Sequence, residues 1–154
     1  MQNIHEHLYK SHLQTNQSSA MSKYTTIDDR LKQVQLKKED KELLRHLEQI
    51  VLKKMGDGTP SVTMVADGLH MHPMMLQRKL KGSIGLTPGE YITIVRLRSA
   101  LGYLADYPRY SITQVAQLCG YADNSHFTHV FQRWFDTSPQ GYLGIRVPIA
   151  ARKK

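Results

Sequence analysis

The feature that most constrains the fold is a pair of short amphipathic helices, separated by a glycine turn, at residues 111–142. Ser111 predicts a helix N-cap, and Gln114 three residues later completes a capping-box pattern. Gly120 follows where a left-handed residue is needed, and Asp123 is placed to cap a second helix. Apolar residues recur in that second helix at spacings of three and four, which indicates a helix-turn-helix with one buried face. This buried stripe consists of Phe127, Val130, Phe131 and Trp134.

The opposite face of this second helix is polar. Its side chains can form hydrogen bonds with base edges or with phosphates, although a solvated helix face has the same composition. The candidates for reading bases are Asn124, Ser125, Thr128 and His129, and those for contacting the DNA backbone are Gln132 and Arg133.

The same pattern occurs earlier in the chain, at a distance of about 50 residues. The matching pairs are Ser61 and Ser111, Val62 and Ile112, Val65 and Val115, Ala66 and Ala116, and Met71 and Tyr121. After one extra residue in the second turn, Leu76 and Leu80 correspond to Phe127 and Phe131. We therefore expect two helix-turn-helix units, an arrangement suited to reading two adjacent grooves of DNA.

The first copy departs from the second in its turn and in its polar face. His70 takes the place of Gly120 and is expected to cost about 1 kcal/mol in a left-handed conformation. The following helix should run from Pro73 to about Lys81. Its expected inward residues are Met75, Leu76 and Leu80, and its expected outward residues are Met74, Gln77, Arg78 and Lys81.

Gln77 and Arg78 are the strongest base-reading candidates of this first helix. Glutamine pairs with adenine and arginine with guanine through two hydrogen bonds each. Met74 joins them as a base-reading candidate, and Lys79 and Lys81 are candidates for contact with the DNA backbone.

A long helix is predicted between the two copies, from Thr87 to about Ala105. Thr87 caps it, proline follows at the first helical position, and Glu90 completes the cap. Its apolar residues cover more than one stripe, so we expect it to pack between two bodies as a rigid connector. Arg96 and Arg98 on this helix are further candidates for contact with the DNA backbone.

The length of the connector bears on how two units would meet DNA. At ~1.5 Å per residue it spans about 28 Å, whereas major grooves on one face of DNA are roughly 34 Å apart. Both recognition helices can then face the same side of a duplex with some mismatch. Either the DNA bends, or one helix docks poorly.

The remaining segments lie on either side of this domain. Residues 1–38 are predicted to form a polar tail or linker with one short helix. That helix, with Ile27, Leu31 and Val34, would pack on the domain or on another chain. Residues 39–146 form the domain, and residues 147–154 are a basic tail. The domain begins with a helix from Glu39 to Met55, whose acidic first turn suits a helix N-terminus.

Composition favours a polyanionic partner inside the cell. The net charge is +8, and residues 61–154 hold eleven Lys/Arg against five Asp/Glu. One cysteine and the lack of a signal-peptide pattern predict a cytoplasmic chain. No catalytic triad, paired-carboxylate or phosphate-loop pattern is present, so neither an enzyme nor a cofactor is expected.

Histidine and methionine in the first turn raise the question of a metal site. The run HMHPMM at residues 70–75 is rich in soft metal ligands. The repeat explains Met71 and Met75 as core residues of a helix-turn-helix, so no metal is expected. His5, His7 and His12 lie in the polar tail, for which solvation is the simpler interpretation.

Three segments within residues 40–145 carry a resemblance to a known family: GYADNSHFTHVFQRWFDTSPQGY, LQRKLKGSIGLTPGEYITIVRLRSA and VAQLCGY. Through them the chain resembles the DNA-binding domain of AraC/XylS-type transcription regulators, and also the output domains of hybrid two-component regulators. It implies an all-α, homeodomain-like domain of about seven helices. The departures from the family pattern are His70, His129, Asp136 and Leu143.

Together these observations predict a sequence-specific regulator of transcription that binds double-stranded DNA through two adjacent major grooves. The partners implied are DNA and, through the resemblance, RNA polymerase or an upstream signalling domain; no membrane is expected. The alternative is a helix-turn-helix-derived protein-interaction module with weak or no specific DNA binding, docked through its N-terminal segment. A metal-responsive variant is a third hypothesis.

Overall fold

A computed structural model describes residues 29, 31, 32 and 34–146, and side chains as far as residue 143. Residues 29, 31 and 32 are helical. The helices with defined bounds are α1 (Lys38–Met55), α2 (Val62–Gly68), α3 (Pro73–Ile84), α4 (Pro88–Asp106), α5 (Ile112–Leu118), α6 (Asn124–Phe135) and α7 (Pro139–Arg146). These seven helices, with no strand among the described residues, confirm the predicted all-α class. Ile27, the three N-terminal histidines and the basic tail at 147–154 lie outside the described residues.

The predicted repeat is present in the backbone. α2 and α5 each have 7 residues, and α3 and α6 each have 12. We call residues 61–85 the first unit and residues 111–136 the second unit. Their buried residues correspond, since Val65, Ala66, Leu76 and Leu80 occupy the places of Val115, Ala116, Phe127 and Phe131.

Caps and turns of the two units also correspond. The hydroxyl of Ser61 accepts from the Met64 amide at 3.2 Å, and Ser111 forms the predicted capping box with Gln114. In the turns, the amides of Met71 and Tyr121 each donate to an alanine carbonyl 2.9 Å away. The sequence therefore specified these helix boundaries through local hydrogen bonds.

Each unit contains two left-handed residues at equivalent positions. In the turns these are His70 at φ 55° and Gly120 at φ 80°. At the ends of the recognition helices they are Gly85 at φ 71° and Asp136 at φ 58°. Histidine and aspartate are among the residues that tolerate this conformation best. The turn of the first unit therefore keeps the repeat's geometry despite lacking the glycine.

The sequence prediction for α3 was wrong in two respects. The helix continues for almost one more turn, to Ile84, where Gly85 ends it. Met75 was expected in the core but is 53% exposed. The four-residue spacing of the buried Leu76, Leu80 and Ile84 fixes the inward face, which turns Met75 towards solvent.

The connector α4 packs on both units, as predicted. It contacts α1, α2, α3 and α5, and Thr87 caps it by accepting from the Glu90 amide at 3.1 Å. Apolar residues along its whole length are buried, including Ile94, Leu97 and Leu101. Because a single helix contributes core residues to both units, they form one packed body.

Replacing Gly120 by alanine should destabilise the fold. Its φ of 80° disfavours any side chain, and an added Cβ would lie 2.5 Å from the Gly58 carbonyl oxygen. We expect Gly120→Ala to lower the free energy of unfolding by at least about 1–2 kcal/mol, measured by urea unfolding followed by circular dichroism.

Gly82 provides the matched control for this variant. It lies in α3 with nothing within 4 Å of an added Cβ. Gly82→Ala should therefore raise the free energy of unfolding by up to about 1 kcal/mol, because alanine favours a helix more than glycine does. Equal stability of the two variants would contradict this account of the turn.

Candidate nucleic-acid interface

The exposed surface of α3 carries the side chains predicted to read DNA from the first unit. Its base-reading candidates are all exposed, Met74 to 67%. Leu76, Leu80 and Ile84 hold the opposite side of the helix in the core. We name this surface the first reading face; it consists of Met74, Gln77, Arg78, Lys79 and Lys81.

The start of α3 is organised by a residue that the sequence analysis did not assign. His72 is the N-cap, and its Nδ1 accepts from the Met74 amide at 3.2 Å. The N-cap position relative to Pro73 was the only available signal, since histidine is not a preferred capping residue.

The second reading face is the exposed surface of α6. Asp123 caps the helix as predicted, with its Oδ1 accepting from the Ser125 amide at 2.7 Å. Thr128 is partly buried, so less of its surface is reachable than that of its neighbours. The exposed members of this face are Asn124, Ser125, His129, Gln132 and Arg133.

The two reading faces can be compared position by position, because α3 and α6 have the same length. Arg78 occupies the place of His129, and Lys81 occupies the place of Gln132. Helices of equal length therefore present different chemistry at equivalent positions. The predicted residues on α3 and α6 are exposed except for Thr128, which is partly buried, and whether they contact DNA stays a prediction.

Arg96, predicted to contact the DNA backbone, is instead a structural residue. Its side chain is 7% exposed. Nε donates to the Cys119 carbonyl at 3.0 Å, and Nη2 donates to the Gly120 carbonyl at 2.9 Å. The guanidinium lies over the Tyr121 ring, 3.6 Å from its centroid. The prediction was wrong because Arg96 lies on the side of α4 that packs against the second unit.

Arg98 is also engaged within the domain. It is partly buried and forms a side-chain hydrogen bond with Tyr91. Burial raises the pKa of Tyr91, while the positive charge of Arg98 opposes that rise. Arg98 therefore has a partner inside the domain, and its contact with the DNA backbone stays a prediction.

A sequence signal for these internal roles did exist. α4 is apolar on more than one side, and a cation within such a helix must find its partners inside the protein. The groups that accept hydrogen bonds from Arg96 could not be inferred from the sequence. Every residue has a backbone carbonyl, and the sequence does not show which of them lie near Arg96.

Replacing Arg96 by methionine should destabilise the domain. The variant keeps an unbranched apolar side chain but removes two charge-assisted hydrogen bonds to buried carbonyls. We expect a loss of about 2–3 kcal/mol in the free energy of unfolding, measured by urea denaturation. The exposed Arg109 provides the control, because Arg109→Met should leave stability almost unchanged. Similar losses in both variants would contradict the proposed role of Arg96.

The burial of Cys119 shows that solvent is excluded from this part of the turn. The thiol is fully buried, and burial raises its pKa to about 12 while Arg96 partly opposes the rise. Since the thiolate is the reactive form, Cys119 should resist maleimide at neutral pH in the native domain and react in denaturant. Labelling followed by mass spectrometry measures both. Rapid labelling of the native domain would show that the turn opens.

The described residues contain no cluster of three or more histidine, cysteine or acidic side chains that could hold a metal ion. His72, one of the histidines in HMHPMM, uses Nδ1 as a helix cap. Among the described residues, no helix is both long enough and apolar enough to cross a membrane.

Two helix-turn-helix units joined by a buried helix, each with an exposed polar face, define a double helix-turn-helix domain. The family model described as a helix-turn-helix domain matches residues 65–144, which is more than half of the chain. The chain belongs to this family, the AraC-type helix-turn-helix domains.

Curated relatives include the HTH-type transcriptional activator RhaS of Yersinia pestis (strain Pestoides F) and of Yersinia pseudotuberculosis serotype O:1b (strain IP 31758). Each is 40% identical to this chain over 76 residues. The match covers 49% of this chain and 28% of each relative. This chain therefore matches 28% of the length of each of these activators, and the rest of each activator has no counterpart in the match.

Two solved structures share the fold. One is a DNA-binding transcriptional dual regulator from Escherichia coli K-12, with TM-score 0.58 and 24% identity, covering 66% of this chain and 89% of that one. The other is the C-terminal domain of AraT, a response regulator from Geobacillus stearothermophilus. It has TM-score 0.61 and 22% identity, covering 73% of this chain and 93% of that one.

Proposed function

We propose that this chain is a sequence-specific transcription regulator that binds double-stranded DNA. The observation that carries the proposal is the pair of exposed polar faces on equivalent helices, held at fixed positions by one buried connector. In a helix-turn-helix, the second helix of each unit lies in the major groove. The assignment places α3 and α6 in successive major grooves.

The length of the connector bears on the spacing between these two helices. α4 has 19 residues and spans about 28 Å at ~1.5 Å per residue. This is shorter than the roughly 34 Å between successive grooves on one face. Bending the duplex towards the protein would close the gap, at a cost of order 1–6 kcal/mol for a site of ordinary length.

The relatives support a role in transcription, since proteins 40% identical to this chain over 76 residues are named as transcriptional activators. We assign residues 39–146 as the DNA-binding domain. Contact with RNA polymerase, or control by an attached signalling domain, would supply the regulatory step. The chain acts by binding rather than by catalysis, in the cytoplasm where the DNA lies.

One observation weakens the alternative of a protein-interaction module. That hypothesis used the segment with Leu31 and Val34 as the docking surface. Leu31 and Leu36 pack against the domain's own core, so these apolar side chains are already partly covered. Residue 27, the remaining member of that segment, lies outside the described residues.

Selection of bound duplexes from a random pool tests sequence specificity directly. An enriched site should then resist competition by excess random duplex in a gel-shift titration. Equal competition by random DNA would refute specific binding, and the absence of any shift at low salt would refute DNA binding.

Arg78→Ala should separate base reading from phosphate contact. If Arg78 pairs with guanine, the variant loses about 1–3 kcal/mol on the selected site, or roughly 5- to 150-fold in affinity, with a smaller loss on random DNA. Lys79→Ala, one residue away on the same helix, should weaken both duplexes equally. A uniform loss for Arg78→Ala would assign Arg78 to a phosphate.

A further inference from the structure

Charge is distributed unequally between the two units. The first unit contains Arg78, Lys79 and Lys81 against Asp67, a net charge of +2 with histidine neutral. The second unit contains Arg133 against Asp123 and Asp136, a net charge of −1. The whole chain has a net charge of +8, but the second unit has no net positive charge.

The reading faces show the same inequality. All three cations of the first unit lie on α3 and are exposed. In α6, all of which the structure describes, Arg133 is the one exposed Lys or Arg. Exposed carboxylates adjoin both ends of that helix, since Asp123 is its N-cap and Asp136 its C-cap.

Among the described side chains next to the second unit, the exposed Arg109 in the loop before α5 adds one cation. α5 contains no charged residue, and the described side chains of α7, at residues 139–143, contain none either. Arg96 and Arg98 on the connector are engaged with Gly120 and Tyr91 inside the domain. The second unit thus offers DNA phosphates very little positive charge.

We propose that the two units divide their work, with the first unit supplying the electrostatic affinity for DNA and the second adding contacts with almost no net charge attraction. This inference rests on the proposed function. Cations that neutralise phosphates release counterions, and the logarithm of the binding constant falls with the logarithm of salt by roughly 0.9 per phosphate neutralised. The first unit should therefore account for nearly all of the salt dependence.

Duplexes truncated to one half of the selected site test this division. The duplex that keeps the α3 half should retain most of the affinity and most of the salt slope of the full site. The duplex that keeps the α6 half should bind weakly, with a slope between zero and about −0.9. Equal slopes for the two halves would overturn the inference, whereas failure to bind any duplex would refute the proposed function instead.

Each half must first be assigned to a helix. Thr63 on α2 and Thr113 on α5 are exposed at equivalent positions, so Thr63→Cys and Thr113→Cys can each hold a DNA-cleaving iron chelate. The native Cys119 is fully buried and will not compete for the label. Cleavage from the two positions should map to opposite halves of the site.

A matched exchange of charge isolates the physical cause. Lys81→Gln gives α3 the residue found at the equivalent place in α6, and should reduce the salt slope of the α3 half by about 0.9. Gln132→Lys makes the reverse change, and should tighten the α6 half and steepen its slope by a similar amount. No response to Gln132→Lys would overturn the inference, because charge would then not be what limits the second unit.

Discussion

The contact on which the rest of the domain depends is the buried guanidinium of Arg96. It donates to the carbonyls of Cys119 and Gly120 from the middle of the connector. The Thr59 hydroxyl donates to the same Gly120 carbonyl at 2.6 Å. The turn of the second unit is thus joined to the connector and to the loop that precedes the first unit. Because Cys119 is the C-cap of α5 and Gly120 begins the turn, this contact holds the end of α5 and the start of the turn against α4.

Burying a guanidinium carries a large desolvation cost, and the surroundings of Arg96 show how it is offset. Burial lowers the pKa of Arg96, while Tyr121 and Cys119 act in the opposite direction. Burial also raises the pKa of Tyr121 to about 12, so its phenol stays neutral at physiological pH. The stacking is therefore a cation–π contact rather than an ion pair, and the carbonyl hydrogen bonds supply the rest. A lysine has no planar fork with which to reach both carbonyls and stack as well.

The sequence predicted those parts of the fold that local interactions control. Ser111 with Gln114, Thr87 with Glu90, and Asp123 each form caps that act within a few residues, and the structure contains all three. Met75 and Arg96 were misplaced because their environments depend on which side of a helix meets its neighbours. The side of α3 that faces the core could be predicted correctly only once Ile84 was known to belong to this helix. For the reading faces, the sequence contains the unequal charges and predicted most of the exposed side chains, although Thr128 is partly buried. The structure was needed to show that Arg96 lies inside the domain and adds no charge to the surface of the second unit.

The two units show which residues the fold requires and which it leaves free. The buried positions and the left-handed positions correspond closely, although Leu76 takes the place of Phe127 and His70 that of Gly120. The outward positions of α3 and α6 are less constrained: Arg78 stands where α6 has His129, and both side chains are exposed rather than packed in the core. A substitution there should cost little stability, and under the proposed function it would change DNA affinity. The scaffold supplies the spacing and orientation of two helices, and the chemistry of recognition depends on a few exposed side chains whose charge the fold does not determine.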